Sequence, residues 1–183
     1  MSRLAFVFKC STDCTVEKVV RMLTGKMIHV DIIPTHPDEL KPKAYTCYMF
    51  EHFSENAAIY NESDYVTLSM PVTDEERVSV TDYLTDCVER KVPYNYKDIM
   101  MCALPGSSYL TDVPTHLPPT SLFCSQAVVL CLRKCLSENQ TLLEKINKVN
   151  SRITTPHMLY ELLKPFCLPD HEPCNYSDIS QDE

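Results

Sequence analysis

Pro118-Pro119-Thr120-Ser121-Leu122-Phe123-Cys124-Ser125-Gln126, running on into Ala127-Val128-Val129-Leu130-Cys131-Leu132-Arg133-Lys134-Cys135, is the stretch from which the rest of the chain is read. Two prolines and two hydroxyl residues announce a helix, with Thr120 or Ser121 as its cap and an apolar run behind them. Cys124 then falls in the first turn, where the positive end of the helix dipole favours a thiolate over a thiol. At helical spacing Cys124, Ala127, Val128, Cys131 and Cys135 share one face, so the helix buries the side that carries the sulfur. Two readings of Cys124 stand at this point. It is a nucleophile, or it is a small core residue of a type that is often buried.

A nucleophile needs a base from elsewhere in the chain. Residues 3 to 9 alternate and run apolar, as a short strand does. Asp13 or Thr15 caps a helix with Val16, Val19, Val20 and Leu23 at helical spacing, and Gly25 ends it in the usual C-terminal glycine position. Met27-Ile28-His29-Val30-Asp31-Ile32-Ile33-Pro34 is a strand by its β-branched content. Turn formers fill Thr35 to Pro42, and a second strand, Ala44 to Glu51, follows. A hairpin folded about residue 40 sets His29 directly opposite Glu51, close enough for their side chains to meet. A slip of one residue replaces Glu51 by His52 on that face.

Farther on, Tyr65 to Val72 is a strand stopped by proline. Thr73-Asp74-Glu75-Glu76 is a capping box opening a helix to about Lys91, with Val80, Tyr83, Leu84 and Cys87 inward. Val92-Pro93-Tyr94-Asn95-Tyr96-Lys97-Asp98-Ile99-Met100 is a turn entering a short helix. A proline-rich loop over 105–119 leads to the Cys124 helix. Short helices at Thr141–Ile146 and Thr155–Leu163 close the order, the last with proline in its first turn. The sequence thus reads as one α+β domain over 1–165, an antiparallel sheet against the Cys124 helix, and an acidic mobile tail over 166–183.

Composition narrows the function. A chain of 183 residues with 44% hydrophobic content can bury a core as a single domain. The net charge of −8, without a Lys/Arg cluster, gives no footprint for nucleic acid. Two glycines, Gly25 and Gly106, leave no room for a phosphate-cradling loop. No run approaches the roughly 20 apolar residues of a membrane span, and Met1 to Lys9 does not read as a signal peptide. Ten cysteines without an export signal indicate reduced thiols in a cytoplasm. The spacings Cys10-x3-Cys14 and Cys131-x3-Cys135 do not match structural zinc, so neither metal nor cofactor is expected.

Taken together these segments resemble the circularly permuted NlpC/P60 cysteine hydrolases, a papain-like branch with YiiX-like proteins, lecithin:retinol acyltransferase-like enzymes and a poxvirus member. Thr24-Gly25 with Ile28-His29-Val30 resembles the family's "TG" and "SHV" elements. Met49-Phe50-Glu51 resembles the strand ending in the third polar residue. Val92-Pro93-Tyr94-Asn95 is similar to its "G-x-x-Y-D" turn, Cys124-Ser125-Gln126 to its "CSE" nucleophile helix, and Thr154-Thr155-Pro156-His157-Met158-Leu159 to its late "SP-x-x-L" helix. The chain departs from the pattern at Ile28, Asn95 and Gln126, where the family has serine, aspartate and glutamate.

The resemblance implies a permuted papain-like fold with Cys124 as nucleophile, His29 as base and then acid, and Glu51 orienting the imidazole. His52 and Asp31 stand as alternatives to Glu51. Tyr94 would line the pocket, and the Cys124 N–H would receive the oxyanion. The implied reaction is acyl transfer through a Cys thioester on an amide or ester of a peptide, acyl-amine or lipid substrate, with peripheral membrane contact open. The scarcity of glycine is compatible with a viral homologue, in which case the location is the host cytoplasm. The rival from another class is a binding or host-interaction module that keeps the fold without turnover. Oligomeric state is left open.

Overall fold

A computed structural model describes residues 1–12, 15–48, 51–61, 63–102, 111–114 and 117–169; the side chains of residues 16, 23 and 169 are outside the description. The architecture is α+β. Its strands are β1 (Arg3–Lys9), β2 (His29–Thr35), β3 (Lys43–Thr46), β4 (Ser54–Ala57), β5 (Tyr65–Pro71) and β6 (Leu168–Pro169). They form one sheet in the order β4-β3-β2-β1-β5-β6, with every pairing antiparallel. The helices are α1 (Thr15–Thr24), α2 (Asp74–Glu89), α3 (Tyr96–Met101), α4 (Cys124–Cys135), α5 (Gln140–Ile146) and α6 (Pro156–Leu163).

β1 lies in the middle because its alternating Leu4, Phe6 and Phe8 need cover on one face while β2 and β5 pair along its whole length. On that face the sheet meets α4. From Cys124 to Leu132 every residue of α4 is buried, and Cys135 is too; Lys134 is exposed, while Arg133 turns its guanidinium onto Asp112 and the Ile146 carbonyl. The helix is therefore a core element covered nearly all round rather than one with a single inward stripe. The other face of the sheet carries a smaller cluster, Val7, Ile33 and Ala44, covered by Ala58, Tyr60 and Tyr65.

Local signals set the helix starts. Thr73 and Glu76 form the reciprocal capping box at α2, each side chain bonding the other's backbone N–H at 3.1 Å. The second oxygen of Glu76 accepts from the backbone N–H groups of Ser137 (2.8 Å) and Glu138 (2.9 Å), just beyond the end of α4. Val80, Tyr83, Leu84 and Cys87 are buried, as the spacing indicates. Thr155 caps α6, with Pro156 at its first position. Gly25 ends α1 with φ of +98°, and a Cβ there would lie 2.7 Å from the His157 ring, so only glycine fits. That contact brings the Thr24-Gly25 and Thr155-Pro156-His157 segments together.

Several expectations change. α1 leaves Val19 47% exposed, and Lys9 pairs with Glu17 of its first turn. The second hairpin strand stops at Thr46, and the strand β4 is added outside it. Leu168–Pro169 pairs with Leu68 and Ser69, so the segment expected to be free from residue 166 is tied to the sheet at its start. Residues 170–183, most of the 105–119 loop, and Met49 and Phe50 lie outside the described residues. Among the described residues no helix is long and apolar enough to cross a membrane, and no group of three His, Cys, Asp or Glu side chains could hold a metal ion. Cys10, Cys47, Cys87, Cys102, Cys124, Cys131, Cys135 and Cys167 are free thiols.

Candidate active site

Cys124 opens α4, and the approach to it differs from the one its sequence indicates. Thr120 and Ser121 do not cap the helix. Leu122 is drawn into a parallel bridge with Tyr94, its N–H bonding Pro93 and its carbonyl accepting from Asn95, so Phe123 is left as the extended N-cap residue. Phe123 offers no side-chain hydrogen bond to the first turn. The N-terminal amides around Cys124 are thus not capped by a side chain at that position, and their partial positive charge is directed at the sulfur's surroundings.

His29 is the first residue of β2 and stands at the end of the sheet, where the N-terminus of α4 arrives. It is 8% exposed, and Cys124 4%. The ring hydrogen-bonds Cys124 on one side. On the other, Nε2 lies 2.7 Å from Asp31 Oδ1 and 2.9 Å from Thr46 Oγ1. With Nε2 so engaged, Nδ1 is the nitrogen left for the sulfur. Cysteine, imidazole and carboxylate form one continuous chain.

The carboxylate that meets the His29 ring is that of Asp31; Glu51 is not brought to it. Residues two apart on a strand point to the same side, so Asp31 follows His29 along its own strand. The hairpin register pairs Ile32 with Tyr45. Extended, it sets Asp31 opposite Thr46 and His29 opposite Tyr48 in place of Glu51. Tyr48 accordingly stacks on the imidazole, with ring centroids 4.5 Å apart and planes 13° from parallel. Glu51 is exposed beyond the end of β3, and its N–H bonds the Tyr48 carbonyl. His52 is exposed as well, bridged through its backbone to Pro93.

Asp31 is 1% exposed and is held by donors. Burial would raise its pKa, but the charge of His29 and hydrogen bonds from His29, Thr46 and Tyr60 overcome this and hold it below the usual carboxylate range. The Tyr60 hydroxyl donates to Asp31 Oδ2 at 2.9 Å. For His29, burial favours the neutral ring. The Asp31 carboxylate, then the Cys124 thiolate, and hydrogen bonds to both outweigh it and raise the pKa to about 10. The imidazole is therefore an imidazolium at neutral pH.

Tyr94 and Cys47 complete the surroundings. Burial, and after it the charge of Cys124, raises the pKa of each, which places both within electrostatic reach of the sulfur. Cys47 also donates its thiol to the Leu122 carbonyl at 3.3 Å. Beneath the turn after Tyr94, Asn95 Nδ2 donates to Gln126 Oε1 (3.2 Å) and to Asp98 Oδ2 (2.8 Å). Arg152 closes a two-pronged pair on Asp98 at 2.7 and 2.9 Å. A cleft of about 400 Å³ lies alongside, lined by Asn95, Asp98, Ser121, Gln126 and Arg152 among others. A cleft of about 690 Å³ runs along α2 and contains none of the triad residues. Cys131 is fully buried and Cys135 nearly so, in the core and apart from the His29 site.

Sequence reasoning brought Cys124, His29 and Tyr94 to one place. It carried Asp31 only as an alternative, and it missed Thr46, Tyr48 and Tyr60. The period-two rule on the histidine's strand, together with the hairpin register, is the signal that finds Asp31, Thr46 and Tyr48. Tyr60 has no sequence signal, because it arrives on the connection before β5. Compared with protein-family models, with curated proteins and with solved structures, the chain shows no match to any of them.

Proposed function

We propose that this protein is a cysteine acyl hydrolase or acyltransferase of the permuted papain-like, NlpC/P60 type, cleaving an amide or ester through a thioester on Cys124. One observation carries the reading: His29 hydrogen-bonds Cys124 at the start of α4 while its other nitrogen lies 2.7 Å from Asp31. Here the ring joins a thiol at a helix N-terminus to a buried carboxylate, which is the arrangement nucleophilic catalysis requires.

The steps follow from these groups. Cys124 passes its proton to the imidazole, and the resulting thiolate attacks the acyl carbon. The uncapped first-turn amides, that of Cys124 among them, receive the developing oxyanion. The C–N or C–O bond breaks as His29 gives its proton to the leaving amine or alkoxide. His29, now neutral, takes a proton from water or a second acceptor, which attacks the thioester and releases the acyl group from sulfur. Asp31 holds the ring in place throughout and stabilises its charged form.

The test is intact mass after incubation with acyl thioesters, N-acyl amines, esters and peptides. An acyl adduct on Cys124, absent from Cys124→Ala, identifies the substrate class. If iodoacetamide alkylates Cys124 no faster than the other thiols, and no panel member leaves an adduct, the binding-module reading replaces this one.

A further inference from the structure

The face of the sheet that carries His29, Asp31 and Ile33 is covered by residues of the connection before β5, Ala58 and Tyr60, and by Tyr65 at the start of that strand. Asp64 N–H bonds the Asn61 carbonyl, and Asn61 Nδ2 bonds the Asp64 side chain at 3.1 Å. The Asp64 carbonyl in turn accepts from Cys10 and Ser11 N–H, just past the end of β1. The turn is thereby anchored to the central strand. Tyr60 packs against the Val7, Ile33 and Ala44 cluster and meets the Tyr65 ring edge-on, with centroids 5.0 Å apart. Its hydroxyl reaches Asp31 Oδ2 at 2.9 Å.

Asp31 therefore has its two oxygens divided between two partners from different elements. Oδ1 serves His29 from within β2, and Oδ2 is bound by a phenol that the connection before β5 lays over the same face of the sheet. Thr46 contributes a further hydrogen bond from β3. A carboxylate bound at one oxygen alone can rotate about its χ2 angle, a broad torsion. Bound at both, its plane is fixed.

We propose that Tyr60 is the positioning residue of the triad: its hydroxyl, by holding Asp31 Oδ2, fixes the carboxylate plane so that Oδ1 meets His29 Nε2. The role rests on the cysteine-hydrolase reading for its catalytic meaning, but the positioning itself is measurable without turnover. The phenol takes no part in bond making. It acts through Asp31 on the imidazole, and the imidazole acts on Cys124. The charged and titratable groups facing this pair are Cys124 from α4, Tyr48 beyond β3, Lys9 at the end of β1, and Tyr60 and Tyr65 from the covering segment.

The experiment compares the wild type, Tyr60→Phe and Asp31→Asn by NMR of the His29 ring at neutral pH, alongside the rate of Cys124 alkylation. Tyr60→Phe removes a single oxygen, and a thermal melt verifies that it folds. The wild type shows a downfield Nε2–H resonance from the imidazolium–carboxylate hydrogen bond, and Asp31→Asn abolishes it. In Tyr60→Phe the resonance moves upfield or exchanges too fast to detect. Alkylation falls about threefold or more, the equivalent of half a pH unit in the ion-pair population. A Tyr60→Phe protein whose resonance keeps its position and exchange rate overturns the proposal, as does a wild type with no such resonance. Unselective alkylation of wild-type Cys124 defeats the hydrolase reading, and the resonance still decides the role of Tyr60.

Discussion

The side-chain amide of Asn95 donates to the side-chain carbonyl of Gln126 across 3.2 Å. These are two of the three positions at which the chain departs from the pattern it resembles, and in both an amide stands in place of an acid. Together they are one feature. Asp98, buried at 3% exposure, already lies under both amides, with Arg152 as its one cationic partner among the described residues. A second carboxylate there would face Asp98 without a cation of its own.

Gln126→Glu should therefore destabilise the fold by about 1–3 kcal/mol at neutral pH, through like-charge contact and a lost donor. The loss should shrink on acidification, since a protonated glutamate regains a donor. Urea denaturation at pH 7 and pH 5 measures both. An equal loss at the two pH values would remove the electrostatic explanation.

Asp31 and Glu51 can be separated by conservative change. Asp31→Asn keeps the shape but removes the charge that favours imidazolium, and Cys124 reactivity should fall by about 10²-fold. Glu51→Gln alters an exposed side chain and should leave the rate within about twofold. Alkylation kinetics with peptide mapping provides the comparison. Equal sensitivity of the two variants would contradict the assignment.

The raised pKa of His29 sets a pH window. Because the folded value is about 10 against 6.5 for the free side chain, its contribution to stability is fully present below about 6.5. It is lost as pH rises from there toward 10. Folding free energy should decline across this interval in the wild type and less in His29→Gln. The His29 Cε1–H resonance should titrate near the upper end. Midpoint movement on Cys124→Ala should be downward, since that variant removes the thiolate while keeping Asp31.

Gly25→Ala is expected to cost about 2 kcal/mol, from the positive φ and from the collision with the His157 ring. Thermal melting measures it directly. His157→Ala in the same protein should recover the part due to collision and leave the backbone part, so the double variant should lie between the two.

Helices were legible where side chains act on their own backbone. Thr73 with Glu76, Thr155 with Pro156, and Gly25 are local devices, and each operates where its sequence indicates. The hairpin was not legible to the residue. Tyr45 to Phe50 is apolar and aromatic enough to continue as a strand, yet pairing ends at Thr46, after which Cys47 engages Leu122 and Tyr48 stacks on His29. Ser54-Glu55-Asn56-Ala57 has no strand-like composition and becomes β4 only because the edge of β3 offers it hydrogen bonds. The Cys124–His29 meeting was readable from residue type and order. Choosing Asp31 required the register, and Tyr60 required the whole sheet.

Asp98 and Glu76 hold opposite ends of the same helix. Asp98 accepts from Gln126 in the first turn of α4, and Glu76 from the backbone beyond its last turn. Burial works against both charges. Asp98 is kept below the usual range chiefly by hydrogen bonds from Arg152 and Asn95, Glu76 by backbone N–H groups. Their stabilising contributions are present above the unfolded pKa values and lost as pH falls through the folded ones. The sulfur thus rides on a beam clamped at each end by an acid, with apolar flanks that have no dependence on pH. Acidification slackens the two clamps and leaves the grip of the flanks as it was, so the helix that carries Cys124 loses its end fixings first.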